Sequence, residues 1–138
     1  MKLHRLIESM KKHEGYVPTV YDDSVGVATI GYGFAIKDLS LSETVCNVIL
    51  QEKLLKLVVD VNARFSSWFP KMPAEVQETV IELCYQIGVA GFSKFRKSIQ
   101  HLSAEKWEAA ANEMLDSKWA KHTPRRAKEM TDIIRNLK

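Results

Sequence analysis

The chain has 138 residues, of which 46% are hydrophobic and 27% charged, and its formal net charge is +3. A chain of this length buries roughly two thirds of its unfolded surface, which suffices for one core, so a single domain over 1–138 is expected. The apolar runs are too short and too often interrupted by charges to span a membrane, and no secretory signal is visible at the amino terminus.

The sequence disfavours several kinds of partner. Cys46 and Cys84 lie far apart without metal or redox spacing, so two reduced thiols are expected. The four histidines form no ligand motif, and we therefore expect no metal and no organic cofactor. Basic residues concentrate in 117–138, as a solvated helix face or as an attraction to an anionic polymer. They do not alternate with aromatic residues, so nucleic acid is not the expected partner.

The chain begins with an amphipathic helix, predicted over 2–13. Its apolar residues recur at the spacing of one helix face: Leu3, Leu6, Ile7 and Met10. Gly15 follows where a left-handed residue ends a helix. This places Glu14 at the carboxyl end of the helix.

A small β-hairpin follows the first helix. Aromatic and β-branched residues flank the turn-forming segment 22–26, which predicts two short strands around a turn that carries Asp23. Gly31 and Gly33 bracket Tyr32 and predict a close backbone approach or an irregular third strand.

Helices are predicted for the rest of the chain. Ser40 and Glu43 have the spacing of a capping box and predict the start of a helix over about 41–65. A second helix over 73–88 begins at Pro73 and ends at Gly88. Three more follow: a short helix over about 92–101, a helix capped by Ser103 that carries Trp107 to Trp119, and a basic helix opened by Thr123-Pro124.

These elements predict an α+β, mostly helical fold. A hairpin lobe (about 14–40) would lie over a larger helical lobe (about 66–138, with the helix over 2–13), and the helix over 41–65 would connect them. A groove between the lobes is the expected place for a site.

Two carboxyl groups in this region have the chemistry that cleaves glycosidic bonds. Such cleavage needs one protonated carboxyl to donate to the leaving oxygen and one ionised carboxyl to activate water or attack the sugar. Glu14 at a helix end and Asp23 in a polar turn fit those two roles, and Thr29 lies across the turn from Asp23. In a chain with 17 acidic residues the spacing alone means little, and the change from helix to hairpin gives it weight.

The same stretch resembles the active-site signature of the phage-type lysozymes, the muramidases of glycoside hydrolase family 24. The matching residues are Glu14-Gly15, Tyr21, Asp23, Gly26 and Thr29-Ile30-Gly31-Tyr32-Gly33. Two further stretches resemble later parts of the family: Gln86 to Phe92, and Ser117 to Trp119 with Thr123 to Lys128. The resemblance covers about 3–135.

The resemblance implies a lysozyme-like fold and three catalytic residues. Glu14 would be the acid, Asp23 the base or electrostatic partner, and Thr29 the hydroxyl that orients water, with inversion at the sugar. Gly31 and Gly33 would support the site, and Arg126 would pair with Glu14. Such a cation favours the ionised carboxyl while the helix dipole disfavours it, and the sequence leaves open which effect dominates.

The resemblance also implies residues that line a sugar groove. Tyr85, Gln86 and Glu113 match groove positions, although Tyr85 could be a core aromatic and Glu113 a solvated helix charge. Phe34 stands where the family often has histidine, and it could form an apolar wall against a sugar. Trp119 matches a buried core tryptophan.

The expected substrate is bacterial peptidoglycan, cleaved at the β-1,4 bond between N-acetylmuramic acid and N-acetylglucosamine. An endolysin-like monomer without a signal would accumulate in the host cytoplasm, without inserting in the membrane, and would need a holin or another membrane lesion to reach the wall. Two alternatives remain open. One is a lytic transglycosylase acting on the same bond, and the other is a catalytically silent wall-binding module.

Overall fold

The protein, described by a computed structural model over all of residues 1–138, contains seven α-helices and one three-stranded sheet. This confirms the predicted α+β, mostly helical class. Contacts divide the chain into two compact units, Met1–Cys46 and Asn47–Lys138. The first unit includes the first helix, which the sequence analysis assigned to the helical lobe. The predicted lobes and the groove between them stay predictions. No helix is long and apolar enough to cross a membrane.

The first helix, α1, spans Leu3–Glu14 and confirms the prediction to within one residue at each end. Gly15 ends it with φ 72°, and its amide donates to the carbonyl of Lys11 over 2.9 Å. Glycine adopts this region of φ without the steric cost that a Cβ brings. Glu14 is therefore the last helical residue, at the point where the chain turns away.

The sheet is antiparallel, and its strands lie in the order β1-β2-β3. The strands are β1 (Val17–Asp22), β2 (Ala28–Gly31) and β3 (Phe34–Ala35). Thr29 lies in the central strand, opposite Tyr21 on one side and Ala35 on the other. The predicted hairpin and the short third strand are confirmed.

The next helix, α2, spans Glu43–Arg64, close to the predicted 41–65. The predicted cap is wrong by two residues. The hydroxyl of Ser42, and not that of Ser40, accepts from the amide of Val45 over 3.2 Å. Both serines precede the helix, and only Ser42 adjoins its first turn, where the free amides lie.

Four α-helices lie between α2 and the last helix. They are α3 (Ala74–Ser93), α4 (Arg96–Ser103), α5 (Trp107–Leu115) and α6 (Lys118–His122). Gly88, where the sequence predicted the end of a helix, interrupts α3 with φ 83° and ψ 157°. The last helix, α7 (Pro124–Arg135), begins at the proline as predicted.

The prediction that Ser103 caps a helix through Trp119 is wrong. Ser103 is the last residue of α4, and its hydroxyl donates to the carbonyl of Gln100 over 2.9 Å. The segment beyond it forms two helices, α5 and α6, separated at Asp116 and Ser117. The hydroxyl of Ser117 caps α6 by accepting from the amide of Ala120 over 3.2 Å.

The hydrophobic core lies in the second unit. Phe92 is fully buried, and its ring meets that of Phe65 edge to face, with centroids 5.4 Å apart. Trp119 is buried, as predicted. Other fully buried members come from α2, α3, α4, α5 and α7: Val61, Val76, Val80, Leu83, Leu102, Met114 and Ile134.

Candidate active site

The proposed acid, Glu14, lies against the turn that joins β2 to β3. A Cβ built on Gly33 would overlap Oε2 of Glu14 and would lie 3.0 Å from its Cδ. The carboxyl group therefore occupies space that any side chain at position 33 would fill. Gly33 also has φ 72°, a conformation that side chains other than glycine rarely adopt.

The second carboxyl, that of Asp23, is held by the turn it starts. Its Oδ1 accepts from the amides of Val25 and Val27, over 2.9 and 2.8 Å. The amide of Asp23 donates to the carbonyl of Val27 over 2.9 Å, and the amide of Gly26 donates to the backbone carbonyl of Asp23 over 3.1 Å. Both side-chain bonds go to Oδ1, so Oδ2 is left to accept from water or substrate.

Thr29 is 4% exposed, and its hydroxyl donates to the carbonyl of Val27 over 2.8 Å. Because that bond uses the hydroxyl hydrogen, the lone pairs of Oγ1 are left as acceptors. The backbone of Val27 thus bonds to both Asp23 and Thr29. The sequence analysis missed Val27, and the turn-forming Asp23 four residues earlier was the signal that could have indicated it.

Phe34 adjoins this site and belongs to a small aromatic cluster. The ring of Tyr32 lies 5.6 Å from that of Tyr16 and 6.4 Å from that of Phe34, between centroids. Phe34 is half exposed, and a Cβ on Gly31 would lie 2.8 Å from its ring. Both glycines therefore allow a close approach to the backbone, one of the two alternatives predicted for them, and their role in supporting the site stays a prediction. Contact between Phe34 and a sugar stays a prediction.

The predicted groove residues of the second unit, Asn47–Lys138, differ in their surroundings. Tyr85 is 47% exposed, so the alternative that it is a core aromatic is wrong. Tyr85 lines a largely apolar pocket of about 670 Å³, together with Leu54 and Ile81. Gln86 is half-buried, and its carbonyl oxygen accepts from the indole of Trp119 over 2.9 Å. Contact of these residues with a sugar stays a prediction.

Glu113 and Arg126, the remaining predicted residues, lie on helices of the second unit. Glu113 is half-buried beside Arg96 and Lys118 in a pocket of about 510 Å³. Arg126 of α7 pairs with Glu82 of α3 over 3.2 Å, a partner that the sequence analysis missed. The implied pairing of Arg126 with Glu14 stays a prediction. No three His, Cys, Asp or Glu side chains group as a metal site would require.

The thiol of Cys84 is strongly affected by burial. Burial raises the pKa of this thiol to about 12, because the charged thiolate is poorly solvated there. Cys84 is therefore an inert core residue, and Cys46 is exposed.

Acid-assisted glycoside hydrolysis requires two carboxyl groups in different environments, and the first unit has one at a helix end and one fixed in a turn, together with a hydroxyl acceptor. Comparison with known proteins agrees with that chemistry. The family model described as phage lysozyme matches residues 11–135, a range that includes Glu14, Asp23 and Thr29. The chain belongs to the phage lysozyme family, as the resemblance indicated.

Two curated relatives are also named as lysozymes. Over an alignment of 155 positions the chain is 25% identical to "Probable T4-type lysozyme 1" of Dictyostelium discoideum, covering 92% of this chain and 91% of that protein. It is 24% identical over 76 residues to "Probable T4-type lysozyme 2" of the same organism, covering 55% and 45%. The protein is thus a glycoside hydrolase of the lysozyme type, a muramidase, and its fold is lysozyme-like. The family implies peptidoglycan as substrate.

Proposed function

We propose that the protein hydrolyses the β-1,4 bond between N-acetylmuramic acid and N-acetylglucosamine, with Glu14 as general acid and Asp23 as general base. The observation that supports this proposal most is the hydrogen bonding around Val27. It holds Asp23 and Thr29 on one turn and leaves an acceptor atom on each.

In the proposed reaction, Oδ2 of Asp23 and Oγ1 of Thr29 accept the two hydrogens of one water. Both are acceptors, so the water's free lone pair points away from them, toward the anomeric carbon. The new C–O bond forms as the old one breaks. Glu14 gives its proton to the leaving sugar oxygen, and Asp23 takes a proton from the water. Attack from the face opposite the leaving group inverts the anomeric carbon.

Inversion also sets a requirement on distance. Inverting enzymes keep their carboxyls about 6.5–9.5 Å apart to admit a water, and retaining enzymes about 5–5.5 Å. We infer the wider spacing for Glu14 and Asp23. Both residues lie in the first unit, so this spacing is set within Met1–Cys46.

Substitution of Glu14 tests the proposal. Glu14→Gln keeps the size and shape of the side chain and removes the proton to be donated, so clearing of purified peptidoglycan should fall by about 10²–10⁴-fold. The matched control is Glu8→Gln, an exposed acid on the same helix. Equal clearing by wild type and Glu14→Gln would contradict the assignment. No clearing by the wild type would favour a silent wall-binding module.

We further propose that the protein is a monomeric endolysin that lyses a bacterial host from its cytoplasm once a holin opens the membrane. The net charge of +3 supports attraction to the anionic wall. Expression in a bacterium with and without a holin tests this setting. Lysis only with the holin is expected, and rapid lysis without it would contradict the proposed dependence.

A further inference from the structure

The turn between β2 and β3 has an unusual backbone. Ile30 pairs with Phe34, so three residues lie between this last pair of the ladder: Gly31, which ends β2, and then Tyr32 and Gly33. Both glycines have positive φ, 71° and 72°. Residues with a Cβ rarely adopt such a φ, because the Cβ crowds the backbone.

Gly33 has a second feature that calls for glycine, besides its positive φ. Three other glycines with positive φ have nothing within 4 Å of a built Cβ: Gly15, Gly26 and Gly88. At Gly33 the nearest atoms are all from one side chain, that of Glu14: Oε2 in overlap, Cδ at 3.0 Å and Cγ at 3.6 Å. The space left by the missing side chain is thus occupied by the carboxyl of the proposed acid.

The turn also connects this contact to the rest of the site. Thr29 pairs with Ala35 on the same two strands, one step beyond the pair that closes the turn. The backbone of Gly33 therefore stands at a fixed distance from the strand that carries Thr29. A carboxyl resting on Gly33 has its position set relative to that hydroxyl.

We propose that Gly33 is a positioning residue. Because it has no Cβ, the Glu14 carboxyl can lie against its Cα, in the position from which it donates a proton. The inference rests on the proposed role of Glu14 as the acid. A methyl group at position 33 meets the flexible end of a side chain and not the backbone, so the protein can fold while the carboxyl moves. A displacement of about 1 Å at a reacting group can cost about 10²-fold in rate.

Gly33→Ala is the first test, with Gly88→Ala as the matched control. Both glycines have positive φ, and only Gly33 would place its Cβ against Glu14. For Gly33→Ala we expect kcat on soluble peptidoglycan fragments to fall about 10²-fold with KM nearly unchanged. Gly88→Ala should lose thermal stability and keep its kcat. If Gly33→Ala does not fold, Gly33→Asn carries the same Cβ on a residue that tolerates positive φ better.

A double substitution separates positioning from general damage to the turn. Glu14→Asp withdraws the carboxyl from position 33 by one methylene, which removes the overlap. The loss caused by Gly33→Ala should therefore largely vanish in the Glu14→Asp background, a non-additive result. Losses that simply multiply would overturn the inference.

The two proposals fail in different ways. If Glu14→Gln is as active as the wild type, the assignment of the acid fails. If Glu14→Gln is inactive while folded Gly33→Ala keeps the wild-type kcat, the acid stands and only the positioning role of Gly33 is overturned.

Discussion

The two compact units of this protein are built in opposite ways. In Met1–Cys46 the one buried side chain is that of Thr29. In Asn47–Lys138 a continuous apolar core surrounds fully buried residues such as Phe92 and Leu83. The proposed catalytic groups all belong to the unit without a core.

The contrast shows that a site can be ordered by backbone geometry where side-chain packing is sparse. Asp23 is held by two amides and Thr29 by one carbonyl. Glu14 rests on a glycine with positive φ. Units with few buried contacts open locally at low free energy, so motion is expected in the first unit before the second.

The largest expected effect on stability comes from breaking the core of the second unit. Phe92→Ala leaves a cavity among aromatic rings and should lower the free energy of unfolding by about 3–5 kcal/mol. Val20→Ala, at an exposed position of β1, should change it by less than about 0.5 kcal/mol. Urea unfolding followed by circular dichroism measures both. Similar losses from the two variants would contradict the contrast between the units.

A smaller effect concerns the two thiols, one in each unit. At pH 8 an alkylating reagent should modify exposed Cys46 in the native protein and reach Cys84 only after unfolding. Mass spectrometry of the labelled peptides measures this. Rapid native labelling of Cys84 would show that the core of the second unit opens readily.

The same thiol predicts a pH dependence. Burial raises the pKa of the Cys84 thiol from 9.0 to about 12, so the folded state holds the proton more tightly than the unfolded state. The contribution to stability is complete below pH 9.0 and is lost as the pH rises toward 12. Cys84→Ala should lessen the decline in the free energy of unfolding across that range.

Local patterns predicted the first helix, its left-handed Gly15 and the hairpin well, because each depends on neighbours in sequence. Two helix starts were predicted wrongly. Ser40 and Ser42 both have the chemistry of a cap, as do Ser103 and Ser117, and the choice depends on which amides remain free. The break between α5 and α6 could not be predicted either, because no proline or glycine lies there.

Long-range contacts could not be predicted from local patterns. Gln86 bonds to Trp119, 33 residues away, and Arg126 pairs with Glu82, 44 residues away. Each depends on how helices pack, which the spacing of residues along one helix does not reveal. The match of Glu14, Asp23 and Thr29 to a family signature identified the candidate site, which composition alone does not indicate.

The most direct test of the account is the structure of the sugar products, determined by NMR and mass spectrometry for the wild type and for Asp23→Asn. If Asp23 and Thr29 orient a water, the wild type should release a reducing muramic acid end, formed first as the inverted α-anomer, and Asp23→Asn should release almost none. Release of 1,6-anhydro products by both proteins would show that the muramic 6-hydroxyl replaces water, and would contradict the hydrolytic mechanism.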